Sequence, residues 1–137
     1  NGNEENITEL KTLINKYNKD IKIFETYYKP LNIHEFNHND YYLIFSGIGN
    51  PDSFKKTLTK NNLKIIKEIT FPDHHQYTKK NINYIKLKAK KLNAKILTTE
   101  KDFMKLDIDC SQGINYLAID LVIKDEDKLI DFIRFKK

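Results

Sequence analysis

YYLIFSGIGNPDSFKKTL, residues 41–58, decides the fold. Tyr41–Phe45 is a short, continuous apolar run without polar alternation, which suits a strand buried on both faces. Ser46-Gly47-Ile48-Gly49 is a tight turn. Asn50 is a good helix N-cap, and Pro51 suits the first helical position, where its missing N–H sacrifices no bond. Phe54 and Leu58, four apart, share one helix face.

The same alternation continues downstream. Residues 64–70 (KIIKEIT) predict a second strand, and residues 71–77 a loop. Thr78 caps a helix whose apolar stripe is Ile82, Ile85, Ala89 and Leu92, backed by Lys79, Lys80, Lys86, Lys90 and Lys91. Residues 95–98 predict a third strand, and Thr99 caps a short helix with Glu100 and Asp102 in its first turn, where the helix dipole favours acids. Residues 115–121 predict a fourth strand and residues 125–135 a closing helix. Upstream, Ile7, Leu10, Leu13 and Ile14 predict a helix over 7–18. Residues 21–28 predict a strand that Lys29-Pro30 ends, and residues 34–40 a polar connection. The expected fold is α/β: a three-layer Rossmann-like domain with a mainly parallel sheet, preceded by a helix and a strand. No internal repeat or low-complexity linker interrupts it.

Right-handed crossovers place the strand-to-helix loops on one edge of such a sheet, where ligand chemistry is usually found. The first loop, Gly47-Ile48-Gly49-Asn50, lets backbone N–H groups approach a phosphate at a helix start. It also suits a plain sharp turn, because position 52 is Asp where the dinucleotide fingerprint needs glycine. The second, Asp73-His74-His75-Gln76-Tyr77, concentrates groups that donate, accept or move protons. A histidine takes a proton from a hydroxyl near neutral pH, and a neighbouring carboxylate fixes its tautomer. Zinc is disfavoured: the other histidines are His34 and His38, the sole cysteine is Cys110, and no ligand spacing links them. In the third, Thr98-Thr99-Glu100-Lys101-Asp102, Lys101 opposes the helix dipole, which an anion held nearby would explain.

Charge and composition narrow the classes. The 137 residues carry a net charge of +5, yet Arg134 is the only arginine. Nucleic-acid readers exploit the arginine fork, so a nucleic-acid partner is not expected. Residues 55–101 hold 13 Lys against 3 acids, a positive field for an anionic partner or a solvated lysine face. One cysteine allows no internal disulfide, apolar runs fall far short of the roughly 20 residues a membrane span needs, and the first ten residues do not form a signal peptide. A soluble, cytosol-facing domain is expected.

FSGIGNPDSF (Phe45–Phe54), FPDHHQYT (Phe71–Thr78) and LTTEKDFMKL (Leu97–Leu106) together resemble, in order and spacing, signatures of the tetraacyldisaccharide 4'-kinase (lipid A 4'-kinase) family. The resemblance covers about half the chain, residues 41–106. It implies a C-terminal domain of an enzyme that uses ATP and Mg²⁺ to phosphorylate the 4'-hydroxyl of a lipid A disaccharide precursor, at the cytoplasmic face of the bacterial inner membrane. The family's phosphate-binding loop lies in an N-terminal P-loop domain, and this chain contains no G-x-x-x-x-G-K-[ST]. The expectation is a fragment, inactive alone, in which residues 1–40 lead in from the P-loop domain and 41–137 form the C-terminal domain. ATP and Mg²⁺ would be held mainly by the other half, with none in this chain. The resemblance places the catalytic histidine at His74, acting with an aspartate of the other domain, with His75 as the alternative and Asp73 beside it to order the loop or contact the sugar. It puts His75, Tyr77, Thr99, Lys101, Gly47, Gly49 and Asn50 toward substrate. The competing expectation is a non-catalytic α/β module that holds a small anionic ligand in the same loops.

Overall fold

The computed structural model describes residues 4–135. Six strands and six helices follow one another as α1 (Glu4–Tyr17), β1 (Thr26–Pro30), β2 (Tyr41–Ser46), α2 (Pro51–Lys60), β3 (Lys64–Thr70), α3 (Lys79–Lys91), β4 (Lys95–Thr99), α4 (Glu100–Phe103), α5 (Ile108–Ser111), β5 (Ile114–Leu117), β6 (Ile119–Ile123) and α6 (Glu126–Arg134), with a 3₁₀ turn at Ile33–Glu35. Strands β3-β2-β4-β5 form a parallel sheet in that order. The α/β class and the mainly parallel sheet expected from the sequence are what the chain forms.

The apolar run of β2 explains the layering. Successive side chains of a strand point to opposite faces. Tyr42 and Ile44 pack on one side with Phe54 and Leu58 of α2. Leu43 and Phe45 pack on the other with Ile82, Ile85 and Ala89 of α3. Leu43, Phe45, Leu58 and Ile85 are completely buried, each contributing about 2 kcal/mol of hydrophobic stabilisation. Of the expected α3 stripe, Leu92 alone is not core: it is the C-cap residue, and it is 38% exposed.

Capping fixes where the helices begin. The Asn50 side chain accepts from Ser53 N–H at 3.1 Å, and Thr78 and Asn81 form a reciprocal capping box at the start of α3. Left-handed asparagines, Asn62 after α2 and Asn93 after α3, turn the chain back toward the next strand.

Two expectations change at the edges. The strand expected over 115–121 is broken at Ala118: β5 ends at Leu117, and β6 joins β1 in a separate two-stranded sheet. Asn32 makes the break. Its Nδ2 donates to the Tyr116 carbonyl at 3.0 Å, and its Oδ1 accepts from Ala118 N–H at 2.9 Å. The strand expected over 21–28 begins only at Thr26 and runs through Pro30, whose missing N–H is tolerated at a strand end. The short α5 was not anticipated.

Compactness divides the chain at 29/30 and 119/120. Residues 30–119 hold the four-stranded sheet. The second unit comprises the described residues up to Lys29 and from Asp120 onward; in it Phe24 packs on Phe132 with ring centres 5.6 Å apart, and Glu25 pairs with Lys11.

Candidate functional site

Strand order creates the site. From β2 the chain crosses to β3 on one side, then returns past β2 to β4 on the other. Loops at such a reversal leave the sheet in opposite directions and open a crevice at the carboxyl ends. The loops after β2, β3 and β4 meet there, and Gly47 ties them together. Its N–H donates to Asp102 Oδ2 at 2.8 Å, and its carbonyl accepts from His74 N–H at 3.2 Å. The carbonyl of Ser46 accepts from Phe71 N–H at 2.8 Å. A Cβ at Gly47 would lie 3.0 Å from the Tyr77 hydroxyl, 3.1 Å from the Pro72 carbonyl and 3.2 Å from His75 Cβ. Close approach of the second loop therefore requires glycine here. At Gly49 a Cβ would meet only Asp73 Oδ2, at an ordinary 3.4 Å.

The second loop presents His74 and withdraws His75. His74 has φ of +59°, a left-handed conformation uncommon outside glycine and asparagine, and its side chain is 78% exposed. Its Nε2 lies 3.8 Å from Asp73 Oδ2. Asp73 Oδ1 accepts from His74 N–H at 2.9 Å and from Lys101 Nζ at 3.4 Å. Partial burial opposes ionisation of Asp73, but the His74 N–H, the His74 ring and the Lys101 ammonium outweigh it and hold the carboxyl below its ordinary value.

The His75 ring is stacked on Phe71, with centroids 4.6 Å apart, and meets Tyr77 edge-on at 5.1 Å. Its Nε2 lies 3.2 Å from Asn81 Oδ1. That oxygen also accepts from Thr78 N–H, which fixes the amide orientation. An oxygen can only accept, so Nε2 of His75 carries the proton.

Tyr77 does not face solvent. Its ring packs edge-on against Phe45 and Phe71. Its hydroxyl is buried without hydrogen-bond geometry to any partner among the described residues, although it faces the Asp102 carboxylate. Burial first, then the charge and proximity of Asp102, push the phenol far above its ordinary value of 10.0. In the unfolded chain Tyr77 ionises near that value while the folded form stays neutral, so stability falls as pH rises past 10. Tyr77→Phe is expected to match the wild type within about 1 kcal/mol at neutral pH, since no good bond is lost. It should also remove about 1.4 kcal/mol per pH unit from the alkaline slope. Urea unfolding midpoints between neutral and alkaline pH check both expectations.

The third loop contributes a residue that sequence reading had assigned only to a helix dipole. Asp102 is completely buried. Besides Gly47 N–H, its Oδ2 accepts from the Thr99 hydroxyl at 2.9 Å, and its Oδ1 from Lys105 Nζ at 2.8 Å. Lys105 is itself 17% exposed and lies over the Tyr77 ring. Thr99 is engaged in the cap, accepting from Asp102 N–H, as Asn50 is in its own. Of the residues expected at the site, the catalytic candidates His74 and Asp73 line the open rim with Lys101, Gly49 lies beside Asp73, and Gly47, His75, Tyr77, Thr99 and Asn50 build the support.

Among the described residues no group of three His, Cys, Asp or Glu is placed to hold a metal ion. The donor set at the rim, one carboxylate with a histidine and a lysine, does not fit a magnesium–nucleotide holder.

The pattern of the family described as tetraacyldisaccharide-1-P 4'-kinase matches residues 3–136. This chain belongs to that family. Among its relatives, the tetraacyldisaccharide 4'-kinase of Pelagibacter ubique is 45% identical over 94% of this chain, which spans 41% of that relative. The corresponding kinase of Rickettsia bellii is 40% identical over 72% of this chain, spanning 30% of its length. The crystal structure of the "apo" form of LpxK from Aquifex aeolicus, in complex with ATP, aligns with a TM-score of 0.51 at 19% identity. That alignment covers 88% of this chain and 39% of that one. At such identity the likeness speaks for the shared 4'-kinase fold. No helix among the described residues of this family member is long and apolar enough to cross a membrane.

Proposed function

We propose that this chain is the C-terminal part of a kinase that transfers the γ-phosphate of ATP to the 4'-hydroxyl of a tetraacyl disaccharide 1-phosphate, and that His74 supplies the general base. One observation carries the proposal: at the rim where three loops meet, the exposed His74 ring stands beside an ionised Asp73, whereas the neighbouring His75 ring is stacked and its Nε2 is committed to Asn81.

Phosphoryl transfer demands little covalent help from protein; it needs a positioned nucleophile and stabilised charge. The sugar hydroxyl oxygen attacks the γ-phosphorus, the bond from that phosphorus to the bridging oxygen breaks, and the hydroxyl proton passes to the His74 ring. The Asp73 carboxylate, 3.8 Å away, stabilises the imidazolium that forms. Lys101, half-exposed and only loosely paired with Asp73, is free to turn toward a phosphate. Nucleotide and Mg²⁺ would be held by the remaining length of the protein, with residues 1–40 leading in from that half. The lysine-rich stretch 55–101 favours an anionic lipid or the cytoplasmic face of an inner membrane.

The test is phosphotransfer from γ-labelled ATP to tetraacyl disaccharide 1-phosphate. The full-length protein containing this chain should label the 4' position, and the chain alone should not. A folded, ATP-binding full-length protein that leaves the lipid unlabelled refutes the proposal.

A further inference from the structure

We infer that Asp102 is a positioning residue, one that sets the His74 loop through Gly47; the inference rests on the reading of His74 as the base. The connection is continuous in hydrogen bonds. Asp102 Oδ2 accepts from Gly47 N–H at 2.8 Å, and the carbonyl of the same glycine accepts from His74 N–H at 3.2 Å. The adjoining Ser46 carbonyl accepts from Phe71 N–H at 2.8 Å. The stretch Phe71–His74 therefore hangs, at both of its ends, from a two-residue segment whose own anchor is Asp102.

The anchor is built to be an anion. Three donors converge on it, the Gly47 N–H, the Thr99 hydroxyl and the Lys105 ammonium, at 2.8, 2.9 and 2.8 Å. A carboxylate offers lone pairs for all three. A buried carboxylate persists only when paired, and Lys105 supplies the pairing charge. Charge-assisted bonds of this kind are shorter and stiffer than neutral ones. Stiffness matters here because His74 sits in a left-handed conformation, which is uncommon for a residue with a Cβ. The surrounding bonds must hold such a conformation in place.

Asp102→Asn tests the device. The amide removes the charge and has one acceptor oxygen for three donors, so the bonds to Gly47, Thr99 and Lys105 cannot all be kept and the anchor loosens. Asp102→Glu keeps the charge and the Lys105 pair but displaces the oxygens by one methylene, which also breaks the tether and guards against misfolding of the first variant. In the full-length kinase either substitution should lower kcat about 10- to 100-fold, as small misplacements of a catalytic group do, with both KM values within about twofold. In nitrogen-15 spectra of this chain, the Gly47 and His74 amides should shift and exchange faster with solvent. Wild-type kcat in a folded variant, or a loss that merely follows the folded fraction while both amides stay put, overturns the inference. The reading of His74 as the base fails separately, if His74→Asn itself keeps the rate; the two amides then still report whether the tether exists.

Discussion

His74→Asn in the full-length kinase is expected to lower kcat by about 100-fold or more, the usual contribution of a positioned general base. Asparagine is the informative substitute. It tolerates the left-handed backbone that His74 occupies, so the loop keeps its course, yet its amide cannot take a proton. KM for the lipid should change by no more than a few-fold, because the proton transfer belongs to the transition state and not to binding. His75→Gln is the companion. Glutamine can still donate to Asn81, but it loses the stack on Phe71, so a smaller loss is expected there. Steady-state rates for both variants decide the assignment. A normal rate for His74→Asn removes His74 from the chemistry, and a collapse confined to His75→Gln transfers the role.

Much of the architecture was legible because its determinants are local. The run Tyr41–Phe45 is apolar on both faces, and Asn50, Thr78 and Thr99 each stand one residue before a helix that they do cap. These signals need only neighbouring residues. What was missed depends on partners distant in sequence. The break at Ala118 is made by an asparagine 86 positions away, so residues 115–121 read as one strand. Helix α5 has four residues, too few for periodicity to show. At the site, the glycines, the two histidines and Asp73 stood out by type. Asp102 did not, because a carboxylate in the first turn of a helix has an ordinary explanation. Its burial is visible only once Gly47, 55 positions earlier, lies against it. The combination of Thr99 three residues before Asp102 and Lys105 three after was the available clue: a capping hydroxyl and a counter-charge bracket the acid at the two ends of a one-turn helix.

That bracket sets the largest stability effect. Lys105→Met keeps much of the side chain's apolar length but removes the counter-charge of a carboxylate with no exposed surface. Breaking a buried pair from one side costs about 3–5 kcal/mol. Set against the roughly 5–15 kcal/mol that holds a typical domain together, this is a large fraction. The urea midpoint of this chain should fall accordingly. The double variant Asp102→Leu with Lys105→Met separates the two consequences of the change. With both charges gone, the desolvated carboxylate no longer weighs against folding, so the double variant should be more stable than Lys105→Met alone. It should not regain the wild-type value. Gly47 N–H remains buried without its acceptor, and an unmet buried donor costs about 1–3 kcal/mol. Full recovery would mean that the Gly47 bond contributes nothing to the fold, and no recovery would mean that the cost lies in packing around the ammonium. Partial recovery is the outcome that a carboxylate serving as both counter-ion and loop anchor requires.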